Sequence, residues 1–305
     1  MTYEETRGIC TLAPYVERFK QERQYLKGVS PSTLTWYRHS FQAFGPVLDR
    51  AYESQADFKG SVMERIQALR QQGRGNKAVS INTYLRCFKA FLNWCHQEQI
   101  LQEPLKLSWL KEEQKVLATF SPAHISLLLN WKPVKDSQRR LHALVCLFLD
   151  TGLRLSEALG LTKDDVDFDN LIIKVKGKGG KHRLVPMSLE LRKVLFRWRQ
   201  KPLDHLSHHS GLMFSTKHGT LLRARDSLRD FTKLCRKLGI SGVRCSPHTL
   251  RHTFAVNYLR AGGNLFYLSK ILGHTSVKTT ERYLQSLQVE DLQAVHNRLS
   301  LLTKG

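Results

Sequence analysis

Two neighbouring segments of this chain have the composition of β-strands. The β-branched runs LIIKVKG and RLVPM flank the sequence GKGGKH, a pattern typical of an antiparallel hairpin with a glycine-rich turn. Most other segments space their apolar residues three or four apart, as one face of a helix does. Ser-Pro pairs at 30–31, 121–122 and 246–247 add helix caps followed by proline at the first helical position. We therefore expect a mainly α fold with a small antiparallel β-sheet.

The chain of 305 residues is long enough for two domains. Residues 1–105 are predicted to form an N-terminal helical bundle with basic loops, and residues 106–115, which are charged and weakly periodic, are interpreted as a linker. Residues 116–305 contain the hairpin and the remaining helices, the last of which is expected to open at Thr275 or Ser276 and to carry Tyr283.

The charge balance indicates a polyanionic partner. Lys and Arg number 48 against 26 acidic residues, and the net charge of +22 is spread along the whole chain. Because basic side chains that neutralise phosphates release counterions, double-stranded DNA is the predicted partner. On charge alone, a basic protein without a nucleic-acid target stays the alternative.

Apolar and cysteine patterns favour a cytoplasmic protein. The longest apolar run, LHALVCLFL, is too short to span a bilayer, and the N-terminus lacks the apolar core of a signal peptide. The 6 cysteines are scattered and form no CxxC pair, so neither a zinc ribbon nor a redox motif is predicted.

The segment SPHTLRH places two phosphate-binding side chain types at the start of a helix. His248 and Arg251 are three residues apart and therefore share one helix face. Free backbone N–H groups and the helix dipole favour an anion at this end. Taken alone, such a pair is more often a surface pair on an amphipathic helix.

Three further segments carry candidate residues. In LGHTSVKTTERYL, His274 follows the glycine that ends a helix, and Tyr283 comes nine residues later, where a packed aromatic is the alternative. In TGLRLSE, Arg154 needs an anion or an acidic partner, and Glu157 one turn later is the structural candidate. In GKGGKH, the hairpin turn projects Lys178 and Lys181 outward, and a solvated turn is the alternative.

In this order, these motifs resemble the tyrosine recombinase family, also called the phage integrases. The resemblance covers residues 116–290, and within the family the motifs are most similar to those of Xer-like bacterial recombinases and mobile-element integrases. The N-terminal bundle is similar in kind to the family's SAM-like core-binding domain. Six residues fall at motif positions, with Lys181 as the second choice for the lysine: Arg154, Lys178, His248, Arg251, His274 and Tyr283.

The resemblance implies a site-specific recombinase that needs no metal, cofactor or ATP. Tyr283 would attack a DNA phosphorus and form a 3′-phosphotyrosyl link, with His248 as the general base or its orienter. Lys178 would protonate the leaving 5′-oxygen. Arg154 and Arg251, helped by His274, would stabilise the charge on the phosphorane.

The resemblance also implies an assembly and a biological role. We expect a homotetramer or heterotetramer on specific recombination sites, connected through the C-terminal tail and possible accessory proteins; packing of the tail on its own domain is the alternative. The predicted role is integration, excision or transposition of a mobile element, with Xer-type chromosome or plasmid dimer resolution as the alternative. A type IB topoisomerase and a non-catalytic DNA-binding regulator are the competing function classes.

Overall fold

The structure is a computed structural model that describes residues 8–71, 77–112, 118–177, 180–200 and 211–299. The chain divides into two compact units, 1–114 and 115–305, which are considered separately. Helices dominate the described residues, which contain one three-stranded antiparallel sheet, so the predicted fold class is confirmed. Over the same residues, no helix is both long enough and apolar enough to cross a membrane.

The first unit is a helical bundle around an aromatic core. Ser30 caps the second helix by accepting a hydrogen bond from the Thr33 backbone N–H, and Pro31 occupies the first helical position, as the sequence predicts. The rings of Phe44 and Phe88 stack with their centres 4.6 Å apart, which adds about 1 kcal/mol to the burial of their apolar surface. The described helices of this unit are α1 (Tyr15–Tyr25), α2 (Pro31–Leu48), α3 (Gln55–Gln71) and α4 (Ala78–Gln97).

The predicted linker, 106–115, contacts the first unit over its first half. The side-chain amide of Asn82 donates to the carbonyl oxygen of Leu110 and accepts from its N–H, both at 2.9 Å. The Lys89 ammonium donates to the carbonyl oxygen of Leu107 at 2.6 Å. These bonds hold the start of the segment against α4. The predicted domain boundaries stay a prediction.

In the second unit α6 packs against α5, α8, α9 and α10, and its end meets α10. Gly152 follows α6 with a φ of +61°, a left-handed conformation that favours glycine. A Cβ atom there would lie 2.4 Å from the ring of Phe254 on α10, so the close approach also requires glycine. The described helices of this unit are α5 (Pro122–Asn130), α6 (Asp136–Thr151), α7 (Leu155–Leu159), α8 (Leu189–Arg199), α9 (Ala224–Lys237), α10 (Pro247–Arg260), α11 (Leu265–Leu272), α12 (Lys278–Glu281) and α13 (Val289–Leu299).

The sheet of the second unit contains the hairpin that the sequence predicts. Its antiparallel strands lie in the order β1 (Val166–Asp167), β2 (Ile172–Lys176) and β3 (His182–Pro186). Val175 of β2 lies opposite Arg183 of β3. Side chains alternate between faces, so Arg183 shares its face with the fully buried Val185.

The prediction that a single helix opens at Thr275 or Ser276 and carries Tyr283 is wrong. The helix there, α12, covers only Lys278–Glu281, and Tyr283 lies in the turn between α12 and a 3₁₀ turn at Leu284–Ser286. The β-branched residues in VKTT lower the helix propensity of this segment, which favours short helical pieces over one continuous helix.

Candidate active site

The first turns of α10 bring Arg251 into the interior. Ser246 caps the helix by accepting a hydrogen bond from the Thr249 backbone at 3.2 Å. Arg251 is only 3% exposed, and its guanidinium donates to the carbonyl oxygens of Gly152 at 2.6 Å and Leu272 at 2.8 Å. Arg251 therefore joins the end of α6 to the end of α11.

Arg154 lies directly before α7 and is more accessible. Its backbone N–H and its Nη1 donate to the two carboxylate oxygens of Glu157 at 2.9 and 2.8 Å, so the acidic partner considered from sequence is present. Its Nη2 donates to the carbonyl oxygen of Gly273 at 3.0 Å. The Arg154 side chain is 36% exposed. Arg154 and Arg251 therefore bind the neighbouring carbonyls of Gly273 and Leu272.

His274 is held between Arg251 and α12. Its Nε2 accepts a hydrogen bond from Nη2 of Arg251 at 3.1 Å, and this donor fixes the tautomer. The other ring nitrogen, Nδ1, then carries the proton and donates to Oγ1 of Thr280 at 2.8 Å. The orientation of the imidazole is therefore set on both sides.

Tyr283 is buried next to these groups, with 2% of its surface exposed. Its ring is nearly parallel to that of His274, with centres 6.4 Å apart, and packs in an apolar cluster with Leu268 and Leu272. Its hydroxyl lies 3.3 Å from Nδ1 of His252. The phenol oxygen is therefore in a polar environment, but the ring has to leave this position before the oxygen can reach an external phosphorus atom.

His252 is a residue of the site that the sequence reasoning missed. The predicted base, His248, is exposed at the start of α10, and its ring centre lies 5.5 Å from that of His252. His252, one helical turn after His248 and next to Arg251, is the imidazole that contacts Tyr283. The spacing of four residues was the signal that could have identified it.

Arg183 is the second missed residue. Its two terminal nitrogens donate to the two oxygens of Glu157, both at 2.8 Å, and its Nε donates to the carbonyl oxygen of Ile271 at 2.7 Å. The alternation of the hairpin was the available signal, since a basic residue on the face of Val185 needs a buried partner.

The two candidate lysines of the hairpin are described unequally. Lys178 lies outside the described residues. Lys181 is exposed, and its carbonyl oxygen accepts a hydrogen bond from the Gly177 N–H at 2.8 Å. The described residues therefore bring together Arg154, Arg251, His274 and Tyr283.

The cluster carries an excess of positive charge. Burial, together with the nearby guanidinium groups of Arg282 and Arg251 respectively, lowers the pKa of His252 and of His274 to about 4. Burial raises the pKa of Glu157, but hydrogen bonds from arginines outweigh that effect and bring it down to about 2. At neutral pH the imidazoles are therefore uncharged, and an anion would be stabilised here.

We expect these histidines to make stability sensitive to mild acid. Because their pKa is lower in the folded protein than the usual 6.5, the unfolded chain binds more protons below pH 6.5. Their contribution is complete above pH 6.5 and is lost as the pH falls towards 4; by pH 4.5 we expect a loss of about 2 kcal/mol for each histidine. Urea unfolding at pH 7, 5.5 and 4.5 should show a smaller decrease for His252→Gln/His274→Gln than for the wild type. Equal decreases would contradict the assignment.

The arrangement has the side chains that phosphoryl transfer requires. A phenol hydroxyl, two guanidinium groups and uncharged imidazoles meet at one end of α11. Planar guanidinium donors match the non-bridging oxygens of a phosphodiester. Among the residues that the structure describes, no three His, Cys, Asp or Glu side chains are placed to hold a metal ion.

Comparisons with known proteins show which sequences this chain is similar to. The family model described as "Phage integrase family" matches residues 119–290. The tyrosine recombinase XerC of Syntrophus aciditrophicus (strain SB) is 33% identical over 239 residues, which cover 75% of this chain and 76% of that protein. The tyrosine recombinase XerD of Pseudomonas aeruginosa is 28% identical over 292 residues, which cover 93% of this chain and 97% of that protein.

Solved structures show the same fold. The Tn1549 transposon integrase in complex with transposon right end DNA superposes with a TM-score of 0.74 at 22% identity, covering 95% of this chain and 99% of that chain. The XerH site-specific recombinase bound to a palindromic difH substrate, in a post-cleavage complex, superposes with a TM-score of 0.70 at 16% identity, covering 95% and 84%.

Proposed function

Since the chain belongs to the phage integrase family, the tyrosine recombinases, we propose that it exchanges DNA strands at specific sites with Tyr283 as the nucleophile. The enzyme cleaves and rejoins DNA, as the family does. The observation that carries the assignment of the site is the convergence of the Tyr283 phenol, the two arginines and His274 at the end of α11. Double-stranded DNA is its partner, as the net charge of +22 and the DNA-bound structural relatives support.

The proposed cleavage step is an in-line displacement at phosphorus. The Tyr283 oxygen bonds to the scissile phosphorus, the bond to the 5′-oxygen breaks, and a 3′-phosphotyrosyl link results. Arg154 and Arg251 donate to the non-bridging oxygens, where negative charge develops, and His274 adds a further hydrogen bond. The 5′-hydroxyl of the partner strand reverses the reaction, so the covalent link conserves the bond energy.

In this proposal two histidines interact with the phenol hydroxyl of Tyr283 at different stages. His248 is the general base or its orienter, and its exposed ring is accessible to a DNA phosphate. His252 holds the hydroxyl of Tyr283 while the ring is buried. Burial and neighbouring arginines lower the pKa of both imidazoles, so each ring is uncharged at neutral pH and has one nitrogen that can accept a hydrogen bond.

Lys178 is proposed to protonate the leaving 5′-oxygen. We expect Lys178→Ala to cleave a normal substrate slowly and to recover on a substrate with a 5′-bridging sulfur, because a thiolate leaves with little need for a proton. Single-turnover cleavage of both substrates measures this, with Lys181→Ala as the matched control on the same turn. Recovery of Lys181→Ala instead would transfer the role to Lys181.

Assembly into a tetramer through the tail is also a proposal. In the described residues α13 contacts its own domain, where Arg260 pairs with Asp291 at 3.0 Å. That contact leaves the apolar side chains of Leu284 and Leu292 exposed, the second of them 57%. These side chains support docking of the tail on a neighbouring protomer in a homotetramer or heterotetramer, with accessory proteins as possible additional components.

The role in the cell is proposed to be movement of a mobile element, and Xer-type dimer resolution is the alternative that the curated relatives favour. Covalent capture distinguishes them. The wild-type protein is incubated with fragmented genomic DNA of its source, denatured, and recovered with any covalently attached DNA for sequencing. Enrichment of element ends supports the proposal, and enrichment of one chromosomal site supports dimer resolution.

Two other outcomes would overturn the assignment. Attachment spread over the genome without sequence preference would indicate a topoisomerase. Normal DNA binding without any covalent attachment would indicate a regulator that has lost catalysis. The DNA recovered in the productive case is the cleavage substrate for the variants below and is called the captured site.

A further inference from the structure

Arg183 joins the hairpin to two other elements through its guanidinium group. All three guanidinium nitrogens are bonded: two to the Glu157 oxygens and Nε to the carbonyl oxygen of Ile271, at 2.7 to 2.8 Å. Glu157 is 5% exposed, so its charge depends on such partners. A bidentate pair of this kind sets the orientation of the carboxylate and also balances its charge.

The end of α11 is bound by three arginines at three consecutive carbonyls. Arg183 donates to the carbonyl oxygen of residue 271, Arg251 to that of residue 272 and Arg154 to that of residue 273. The last carbonyls of a helix lack partners within the helix, and its dipole places partial negative charge there. The helix end therefore sets the positions of the two catalytic arginines relative to each other, and Arg183 completes the set.

Gly273 shows independently that this packing is tight. It ends α11 with a φ of +64°, and a Cβ atom there would lie 3.0 Å from three atoms of the Arg183 guanidinium. The Arg183 head therefore occupies the space directly beside the residue whose carbonyl Arg154 binds. His274 follows Gly273 in the chain, so movement of Arg183 would also disturb His274.

We propose that Arg183 is a positioning residue for DNA cleavage: by sharing the charge of Glu157 with Arg154, it holds the Arg154 guanidinium where its remaining donors can bind the scissile phosphate. Glu157 lies between the two arginines. Without Arg183, Arg154 alone would balance the buried carboxylate, and its guanidinium would turn further towards Glu157 and away from the phosphate. The inference rests on the proposed role of Arg154 as a phosphate ligand.

Because Arg183 lies on β3, its pair with Glu157 also attaches the hairpin to α7. This arginine lies two residues after Lys181, at the base of the hairpin formed by β2 and β3. Glu157 therefore contacts both the base of the hairpin, through Arg183, and the phosphate ligand Arg154.

A double-mutant cycle on the captured site tests the proposal. Arg183→Gln is expected to slow single-turnover cleavage about tenfold at saturating enzyme, with DNA affinity unchanged within about twofold, because Arg183 acts through Arg154. In an Arg154→Ala background the same change should cost less than about twofold. The matched control is Arg192→Gln, which also loses an Nε bond to a carbonyl, that of Phe168 at 2.7 Å, and should cleave like the wild type.

A scissile methylphosphonate separates positioning from general structural support. It lacks the charge that Arg154 neutralises, so the Arg183→Gln defect should shrink on this substrate, whereas a defect from loosened packing would not. If Arg183→Gln does not fold, Arg183→Lys, which keeps the charge but not the bidentate pair, is measured in its place and should show a smaller defect of the same pattern.

Three results would overturn the proposal. These are a wild-type rate for Arg183→Gln, an equal loss in both backgrounds, or an equal loss on both substrates. Each leaves the proposed function intact, provided that the wild type forms its covalent adduct. Absence of that adduct would overturn the proposed function itself.

Discussion

Tyr283→Phe is expected to bind the captured site with unchanged affinity and to form no covalent adduct. The change removes only the phenol oxygen, the atom that would bond to phosphorus. The ring keeps its packing against the apolar cluster, since the side chain is 2% exposed and phenylalanine fills the same space. Loss of the hydrogen bond to His252 should lower the free energy of unfolding by about 1 kcal/mol.

The measurement is denaturing gel electrophoresis of labelled DNA after incubation, together with a binding assay under native conditions. Tyr258→Phe is the matched control, because Tyr258 packs against the same apolar cluster from α10. It should form the adduct at the wild-type rate. An adduct that persists in Tyr283→Phe, or is lost in Tyr258→Phe, would move the nucleophile elsewhere.

Arg154→Ala and Arg251→Ala are each expected to slow single-turnover cleavage by about 100-fold or more, as the loss of a preorganised donor to developing charge does. Their effects on stability should differ. Arg154 is 36% exposed, and Arg183 continues to bind Glu157 without it, so Arg154→Ala should cost about 1 kcal/mol.

Arg251→Ala should cost about 3 kcal/mol, because it removes a buried cation that two carbonyls bind. Arg140→Ala separates stability from chemistry: Arg140 is also a partly buried arginine, it donates to the carbonyl oxygen of Ser215 at 2.7 Å, and it stands outside the cluster. Urea unfolding and cleavage rates per folded molecule provide the comparison. Wild-type cleavage by Arg154→Ala or Arg251→Ala would contradict the proposed role of these two arginines as phosphate ligands.

The prediction of the fold from sequence succeeded where the signal was local. The hairpin follows from two β-branched runs around glycines, and the helix starts at Ser30 and Ser246 follow from cap and proline chemistry. The prediction failed at Tyr283, where β-branched residues divide one expected helix into short pieces. Propensity across four residues is too weak to specify such a break from sequence.

The candidate site was predicted by type and order of residues, and the missed residues show the limit of that approach. His252 and Arg183 belong to motifs that sequence analysis had already selected, but a contact with a phenol or a buried carboxylate is not a periodic feature. Arg183 is 26 residues from Glu157 and 88 from Ile271. Contacts at such separations leave no pattern in a single sequence.

The amino-acid sequence alone determined the mainly helical architecture, the hairpin, the basic character and the membership of a DNA-cleaving family, because each depends on local composition or on ordered motifs. Only the tertiary structure decided which groups meet: three arginines at three successive carbonyls of α11, and a buried Tyr283 held by His252. The physical reason is that hydrogen bonds to backbone carbonyls depend on where helix ends pack in space, and side-chain identity does not specify that position.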